Sequence, residues 1–259
     1  MKTVKGLHEK MGTFENANTS FHQAARCKRY TNEVLAFSMV KEEELLRATE
    51  EIQNLTYRQG EYKIFKVFEP KERLIMALPF YDRVVQHMIC NAIQPVFENG
   101  FYYHSYACRS GKGMHAASDT LYQWMYETEV KQGLRMYAFK GDISKYFASI
   151  PHDKLKDENR RYIGDKKALM LMDDIIDHNG ILPDGVGIPV GNLTSQLFAN
   201  VYGNKLDKFC KHVLHIPYFV RYMDDFIILS DDLEQLKEWV KRIEEFLENE
   251  MLLHINPKS

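Results

Sequence analysis

Two adjacent aspartates, Asp224 and Asp225, sit between two apolar runs, Ile216 to Tyr222 and Phe226 to Ser230. Like charges held side by side raise each other's pKa unless solvent or a cation offsets them, and a divalent metal is the natural offset. A lone Asp-Asp pair also suits an ordinary solvated turn, because Asp favours turns. Asp142 changes that reading, since it closes another strand-like run, Arg135 to Asp142, well upstream. Three carboxylates on neighbouring strand ends can hold two Mg²⁺ ions about 3.5–4 Å apart, one activating a hydroxyl and one stabilising the leaving pyrophosphate oxygens. Mg²⁺ prefers a few carboxylates plus substrate phosphates to a full protein cage, so a sparse aspartate set suits it. The chemistry this points to is nucleotidyl transfer.

Between these carboxylates lies Gly187 to Asn200, GIPVGNLTSQLFAN, which reads as a Gly-Pro turn running into a helix. Its first turn is expected to present Asn192, Thr194, Ser195 and Gln196, small and amide side chains able to approach a base pair or phosphate closely. The plain alternative is a capped helix. Further upstream, Ser105 to His115 carries Gly111 and Gly113 beside Arg109 and Lys112, the make-up of a flexible basic loop. The GxxxxGK[ST] spacing is missing, which excludes a P-loop.

The elements that must position these residues are legible as patterns. Ser38 to Leu55 places Leu45, Ala48, Ile52 and Leu55 at helical steps amid glutamates, including the solvated run Glu42 to Glu44. Tyr62 to Phe68 and Arg73 to Phe80 flank a turn-like Glu-Pro-Lys-Glu and read as a β-hairpin. Asp82 is placed to cap the next helix, in which Val84, Val85, Met88, Ile89, Ile93, Val96 and Phe97 call for burial. Met170 and Met172 are expected in the core. The last helix follows Asp231-Asp232, with Leu233, Leu236, Val240, Ile243, Leu247 and Met251 on one stripe. Strands and helices alternate without a regular βαβ period, so the fold class is α+β.

The chain has 259 residues, 45% of them hydrophobic and 27% charged, which fits a globular protein. Its net charge of −2 hides a gradient, because residues 222–259 hold far more acidic than basic side chains. Proteins that grip nucleic acid alone usually carry a basic excess, so action on nucleic acid here would borrow charge from metal ions or from a basic partner. Cys27, Cys90, Cys108 and Cys210 form no CxxC pair, and the ten histidines show no HExxH spacing. No stretch approaches the roughly 20 apolar residues of a membrane span. The expectation is a cytoplasmic protein.

Four segments in order, FKGDISKYFASI, GIPVGNLTSQ, YMDD and LLHINPK, resemble motifs A to D of reverse transcriptases. Upstream, AARCKRYTNEVLAF, YKIFKVFEPKERLIMALPFYDRVVQH and SYACRSGKGMHAA are most similar to the reverse transcriptases of diversity-generating retroelements, related to group II introns. The resemblance implies a right-hand polymerase with fingers and interleaved palm in residues 1–139 and palm in 140–259, the thumb lying outside this chain. It implies metal binding and catalysis by Asp142, Asp224 and Asp225 with two Mg²⁺. Phe147 matches the steric gate against a ribose 2′-hydroxyl. Arg73 and Lys71 match residues that meet the incoming triphosphate. Lys258 matches the motif D lysine. The same resemblance places Val190, Gly191, Gln196, Tyr222 and Met223 around the nucleotide, and Arg109, Lys112 and Asn192 along template and primer. RNA template, DNA or RNA primer, dNTPs and a basic oligomeric accessory protein are the implied partners.

Where many reverse transcriptases have Gln in motif B, this chain has Val190. An apolar side chain cannot hydrogen-bond near the nascent base pair, which implies looser selection, in line with the adenine-directed mutagenesis of the resembled group. The alternatives are another bacterial reverse transcriptase (group II intron, retron or phage-defence type), a noncatalytic RNA-binding module, or a Mg²⁺-dependent nuclease, which would need neither Phe147 nor the motif B helix.

Overall fold

The computed structural model describes residues 3–68, 72–257 and 259. Lys71 and Lys258, both singled out from the sequence, lie outside the described residues. In chain order the elements are α1 (Leu7–Met11), α2 (Phe14–Ala24), α3 (Asn32–Met39), α4 (Lys41–Gln53), β1 (Lys63–Phe68), β2 (Glu72–Ala77), α5 (Phe80–Glu98), α6 (Met114–Met125), β3 (Tyr137–Asp142), α7 (Tyr146–Ser149), α8 (His152–Tyr162), α9 (Lys166–Asp177), α10 (Leu193–Lys208), β4 (Tyr218–Tyr222), β5 (Asp225–Ser230) and α11 (Leu233–Phe246). Short π-type turns extend α6, α10 and α11.

By packing, the chain divides into two compact units, each made of two stretches: Met1–Gly100 with His152–Phe198, and Phe101–Pro151 with Ala199–Ser259. This partition differs from a single boundary after Phe139, because the chain leaves the first unit and returns to it.

The first unit is built on α5, whose Val84, Val85, Met88, Ile89, Ile93 and Phe97 are fully buried, as the periodicity requires. Each such side chain contributes about 1.5–3 kcal/mol relative to exposure. Phe21 of α2 and Phe37 of α3 stack at 5.5 Å and both meet Phe80 edge-on. Asp82 does not cap α5. It lies inside the first turn, buried, where Tyr57 Oη donates to it at 2.7 Å and Gly60 N at 3.2 Å, so its carboxylate ties the 57–60 segment to the helix. Asp165 caps α9 through Lys167 N and Ala168 N and also accepts from Leu7 N and His8 N. Those four backbone donors hold its carboxyl below the usual range despite burial opposing them. Met172 is buried, but Met170 is 55% exposed on the outer face of α9 and corrects the core assignment. β1 and β2 form the expected antiparallel hairpin, Val67 opposite Arg73.

In the second unit, β3, β5 and β4 form an antiparallel sheet in that order. Residues 104–106 run parallel to β4 along its outer edge, with Arg221 N donating to His104 O and Tyr106 N to Arg221 O. The end of the chain covers the end of β3, Ser144 N donating to His254 O and Ile143 pairing with Ile255. Gly141 is required by packing, since a Cβ there would overlap the buried Phe226 ring. Asp232 caps α11 by accepting from Glu234 N and Gln235 N, as its position predicts. Leu236 and Ile243 of the helical stripe are buried, and Leu247 and Met251 continue it in the π-type turn.

Candidate active site

The carboxylates all fall in the second unit. β4 and β5 are joined by a two-residue turn, Met223-Asp224, so Asp225 begins β5 and does not lie in the turn. Asp225, on the middle strand, is the cross-strand partner of Tyr222 on one side and of Asp142 on the other. Directly opposed residues share a sheet face, so Tyr222, Asp225 and Asp142 stand together on one face with Asp224 beside them. The turn needs a left-handed residue, and Met223 supplies it at φ 59°. Such a conformation costs a non-glycine residue about 1–3 kcal/mol and persists only where neighbours enforce it.

The enforcing group was not legible as such in the sequence. Arg221 is fully buried and uses all five of its N–H donors. Nε and Nη2 form a two-pronged ion pair with Asp207 of α10 at 2.6 and 2.8 Å, Nη2 also reaches Ser105 Oγ at 3.0 Å, and Nη1 donates to Asn200 Oδ1 at 3.3 Å. The remaining Nη1 bond goes to the Met223 carbonyl at 2.9 Å and fixes the turn. Gly203 leaves the room this guanidinium needs, because a Cβ there would lie 2.6 Å from Nη1. Burial pushes the Asp207 carboxyl up against the pull of Arg221, while Asp207 raises the guanidinium in turn. The available signal was a single arginine at an inward step of an apolar strand, between Val220 and Tyr222.

One backbone bond ties the end of β3 to the Asp224 turn, and another holds Asp142 to Asn256. Ile143 N donates to Asp224 O at 3.2 Å, and Asn256 N donates to Asp142 O at 2.7 Å. Asn256 Nδ2 also donates to Asp142 Oδ2 at 2.9 Å, and Lys140 Nζ lies 3.8 Å from Asp225 Oδ1. Among the described residues no three His, Cys, Asp or Glu side chains converge as a metal cluster. The donor set nevertheless fits a hard divalent cation in kind, being carboxylate oxygens at adjacent, partly exposed backbone positions. Phe147 is half-buried on α7, edge-on to Tyr146 at 5.9 Å, and Tyr146 Oη is anchored on Ala199 O at 2.7 Å.

The basic loop is pinned rather than flexible. The Arg109 guanidinium donates to Tyr102 O at 2.7 Å and Ser105 O at 2.8 Å, and Lys112 Nζ donates to Tyr103 O while standing 3.4 Å over the Tyr103 ring. Burial, with Lys112 and Lys211 adding to it, pushes His104 down to about 4.

The other predicted residues fall in the first unit. Arg73 is exposed on β2. Three positions further along that strand, Met76 N donates to Val190 O at 3.2 Å, which joins the hairpin to the start of the motif B segment. Gly191 has φ +114°, and a Cβ there would lie 3.2 Å from Ile75 Cγ2, so both conformation and space favour glycine. Asn192 is buried and donates to Tyr62 Oη at 3.1 Å, which itself donates to His178 O at 2.9 Å; burial pushes Tyr62 up to about 12. Thr194 and Ser195 are also buried. This corrects the expectation that the first turn of α10 presents them, because the helix start packs inward on the unit's core. Gly191 and Gln196 retain exposed surface.

Residues 66–258 match the family model described as "Reverse transcriptase (RNA-dependent DNA polymerase)". The chain belongs to the reverse transcriptase family. Among curated relatives, the chain is 28% identical to Protein YkfC of Escherichia coli K12 over 134 residues, covering 49% of this chain and 34% of that protein. It is 29% identical over 137 residues to an uncharacterized 91 kDa protein in a cob intron of Schizosaccharomyces pombe, covering 51% of this chain and 16% of that one. It therefore spans about a third or less of the length of these relatives. Its fold is similar to apo telomerase from Candida tropicalis truncated from the C-terminal domain, with TM-score 0.56, 14% identity, and coverage of 77% of this chain and 49% of that one. A telomerase of Candida albicans, solved with a fragment of telomeric RNA, gives TM-score 0.58 at 10% identity, covering 78% of this chain and 42% of the other. At these identities the likeness concerns the fold, a mixed helix and sheet reverse transcriptase architecture.

Proposed function

We propose that the chain carries the polymerising centre of an RNA-directed DNA polymerase of a bacterial or phage retroelement, cytoplasmic and of the diversity-generating type. The observation that carries the reading is the register that sets Asp142 opposite Asp225, with Asp224 in the adjoining turn, within a reverse transcriptase chain. Asp142, Asp224 and Asp225 are the residues to hold divalent cations, proposed as two Mg²⁺. When bound, these ions supply activation of the primer 3′-hydroxyl and neutralisation of the leaving pyrophosphate. The protein's own residues do the rest. Arg73 binds the dNTP triphosphate, with Lys71 and Lys258 as the further cations the resemblance implies. Phe147 excludes a 2′-hydroxyl, and Tyr222 and Met223 border the nucleotide, with Gly191 and Gln196 as the further residues the resemblance implies. Arg109 and Lys112 stand on the loop assigned to template and primer, and a basic accessory protein supplies the positive charge this chain lacks.

The test is dNTP incorporation on a primed RNA template with Mg²⁺, with and without such a partner. Asp224→Asn is expected to abolish synthesis with an unchanged circular dichroism spectrum. Full synthesis by that variant would sink the assignment. The error-prone reading rests on Val190, whose side chain offers no hydrogen bond to the nascent pair. Sequenced cDNA from Val190→Gln is expected to carry fewer errors opposite adenine, and an unchanged error spectrum would remove that link.

A further inference from the structure

Asp142 is held by residues 254–259 as well as by its strand partner. Ile143 bridges Ile255, and Ser144 N donates to His254 O at 2.9 Å, so this segment runs against the end of β3. Asn256 binds Asp142 twice, its backbone N–H donating to the Asp142 carbonyl at 2.7 Å and its side-chain Nδ2 to Asp142 Oδ2 at 2.9 Å. Asp142 N in turn donates to Ser259 Oγ at 3.0 Å. The stretch that leads to Asn256 is itself fixed. Met251 and Leu253 are fully buried, Leu253 N donates to Leu247 O at 2.9 Å, and Tyr202 Oη of α10 donates to Met251 O at 2.6 Å.

The chemistry of this contact suits the orientation of a metal ligand. An ionised carboxylate only accepts hydrogen bonds, so the Asn256 amide must turn its NH₂ group to Asp142, and the assignment of Nδ2 follows from the partner. One N–H occupies one of about four lone-pair sites on the carboxylate, which keeps capacity for a cation. The amide is neutral, so it fixes the carboxylate without cancelling the charge that attracts a metal ion. Asp225 is treated differently, with the Lys140 ammonium 3.8 Å from its Oδ1 and both side chains exposed. Groups that hydrogen-bond to ligating carboxylates orient them, and losing one typically lowers metal affinity or activity by about 10–100-fold.

We propose that Asn256 is a positioning residue for the cation site, its side-chain amide setting the Asp142 carboxylate so that a divalent ion binds there in the absence of nucleotide. The role is that of the side chain, since the backbone bond from Asn256 to the Asp142 carbonyl is open to any residue but proline. The proposal rests on the reading of Asp142 as a metal ligand of a polymerase.

The experiment titrates Mn²⁺, which takes the same carboxylate ligands as Mg²⁺, into the full chain without nucleic acid or dNTP and reads free Mn²⁺ by electron paramagnetic resonance. The Mg²⁺ dependence of dNTP incorporation is measured beside it. Asn256→Leu keeps the size of the side chain and the backbone bond but removes the amide donor. It is expected to weaken Mn²⁺ binding about tenfold and to raise the half-saturating Mg²⁺ concentration by a similar factor. The KM for dNTP is expected to move less than the Mg²⁺ requirement. Asn256→Gln offers the same amide one methylene further out and should recover part of the loss, whereas a residue needed only for packing would be replaced better by Leu than by Gln. Asn256→Ala is the second variant should Leu fail to fold, and the same weakening is expected of it. Mn²⁺ affinity equal to the wild type in the folded variant overturns the inference, whatever its stability. Asp142→Asn separates the two claims. If it leaves Mn²⁺ binding unchanged, Asp142 is no ligand and the site reading falls together with this inference; if it abolishes binding while loss of the Asn256 amide does not weaken it, only the role of Asn256 falls.

Discussion

At the scale of single residues, the aspartates depend on a group that touches none of the reacting atoms. Arg221 and Asp207 hold each other at zero exposure, and one guanidinium N–H is spent on the Met223 carbonyl that shapes the turn before Asp224. Replacing one member of a buried pair leaves the other uncompensated, which costs about 3–5 kcal/mol, whereas replacing both by apolar groups costs far less. Asp207→Asn is therefore expected to lower the unfolding free energy by about that amount, read from urea titration. The double variant Asp207→Leu with Arg221→Met should recover much of the stability while synthesis stays impaired, because the turn has lost its anchor. A double variant as unstable as the single one would show that the pair contributes packing rather than charge compensation.

At the scale of elements, the sheet brings the carboxylates into line, and its packing beside them requires a glycine. Gly141 stands one residue before Asp142 and opposite Phe226, one residue after Asp225. Any side chain there meets the Phe226 ring. Overpacking of this kind costs about 1–3 kcal/mol, so Gly141→Ala should lower the midpoint of thermal unfolding by several degrees. Adding Phe226→Leu should restore part of it, and no recovery would place the strain in the strand backbone. The elements themselves were mostly legible. The hairpin at β1 and β2, the capped amphipathic α11 and the Tyr222 to Asp225 hairpin follow from alternation, turn residues and caps. The start of α10 was misread, since the polar residues Asn192, Thr194, Ser195 and Gln196 suggested an exposed surface although the first three are buried. Small polar side chains bury easily once a neighbour such as Tyr62 satisfies them, and sequence does not reveal that neighbour.

At the scale of the molecule, charge sets the terms of binding. With a net charge of −2, this chain is expected to hold nucleic acid by few contacts, and Arg26, Lys28 and Arg29 are the exposed cations gathered on one short stretch of the first unit. Each phosphate neutralised on a single strand contributes about −0.7 to the slope of log affinity against log salt, so a slope between about −2 and −3 is expected for RNA binding by this chain alone. Anisotropy titrations over a range of salt concentrations check this, and a slope beyond about −6 would mean a far larger basic interface than these residues provide. Adding a basic partner should steepen it.

Short-range physics made much of the protein readable from its sequence alone. Alternation and helical period follow from where successive side chains point, and caps follow from unsatisfied amides within one turn, so the β1–β2 pair, α5, the strands flanking Asp224 and Asp225, and α11 with its cap were evident locally. Tertiary structure alone decided that Asp142 faces Asp225, that residues 152–198 return to pack with the first hundred, and that Arg221 finds five acceptor atoms on four residues of three different segments. Those outcomes depend on which of several compatible apolar faces meet across long stretches of chain. The local pattern of each face carries no record of its partner.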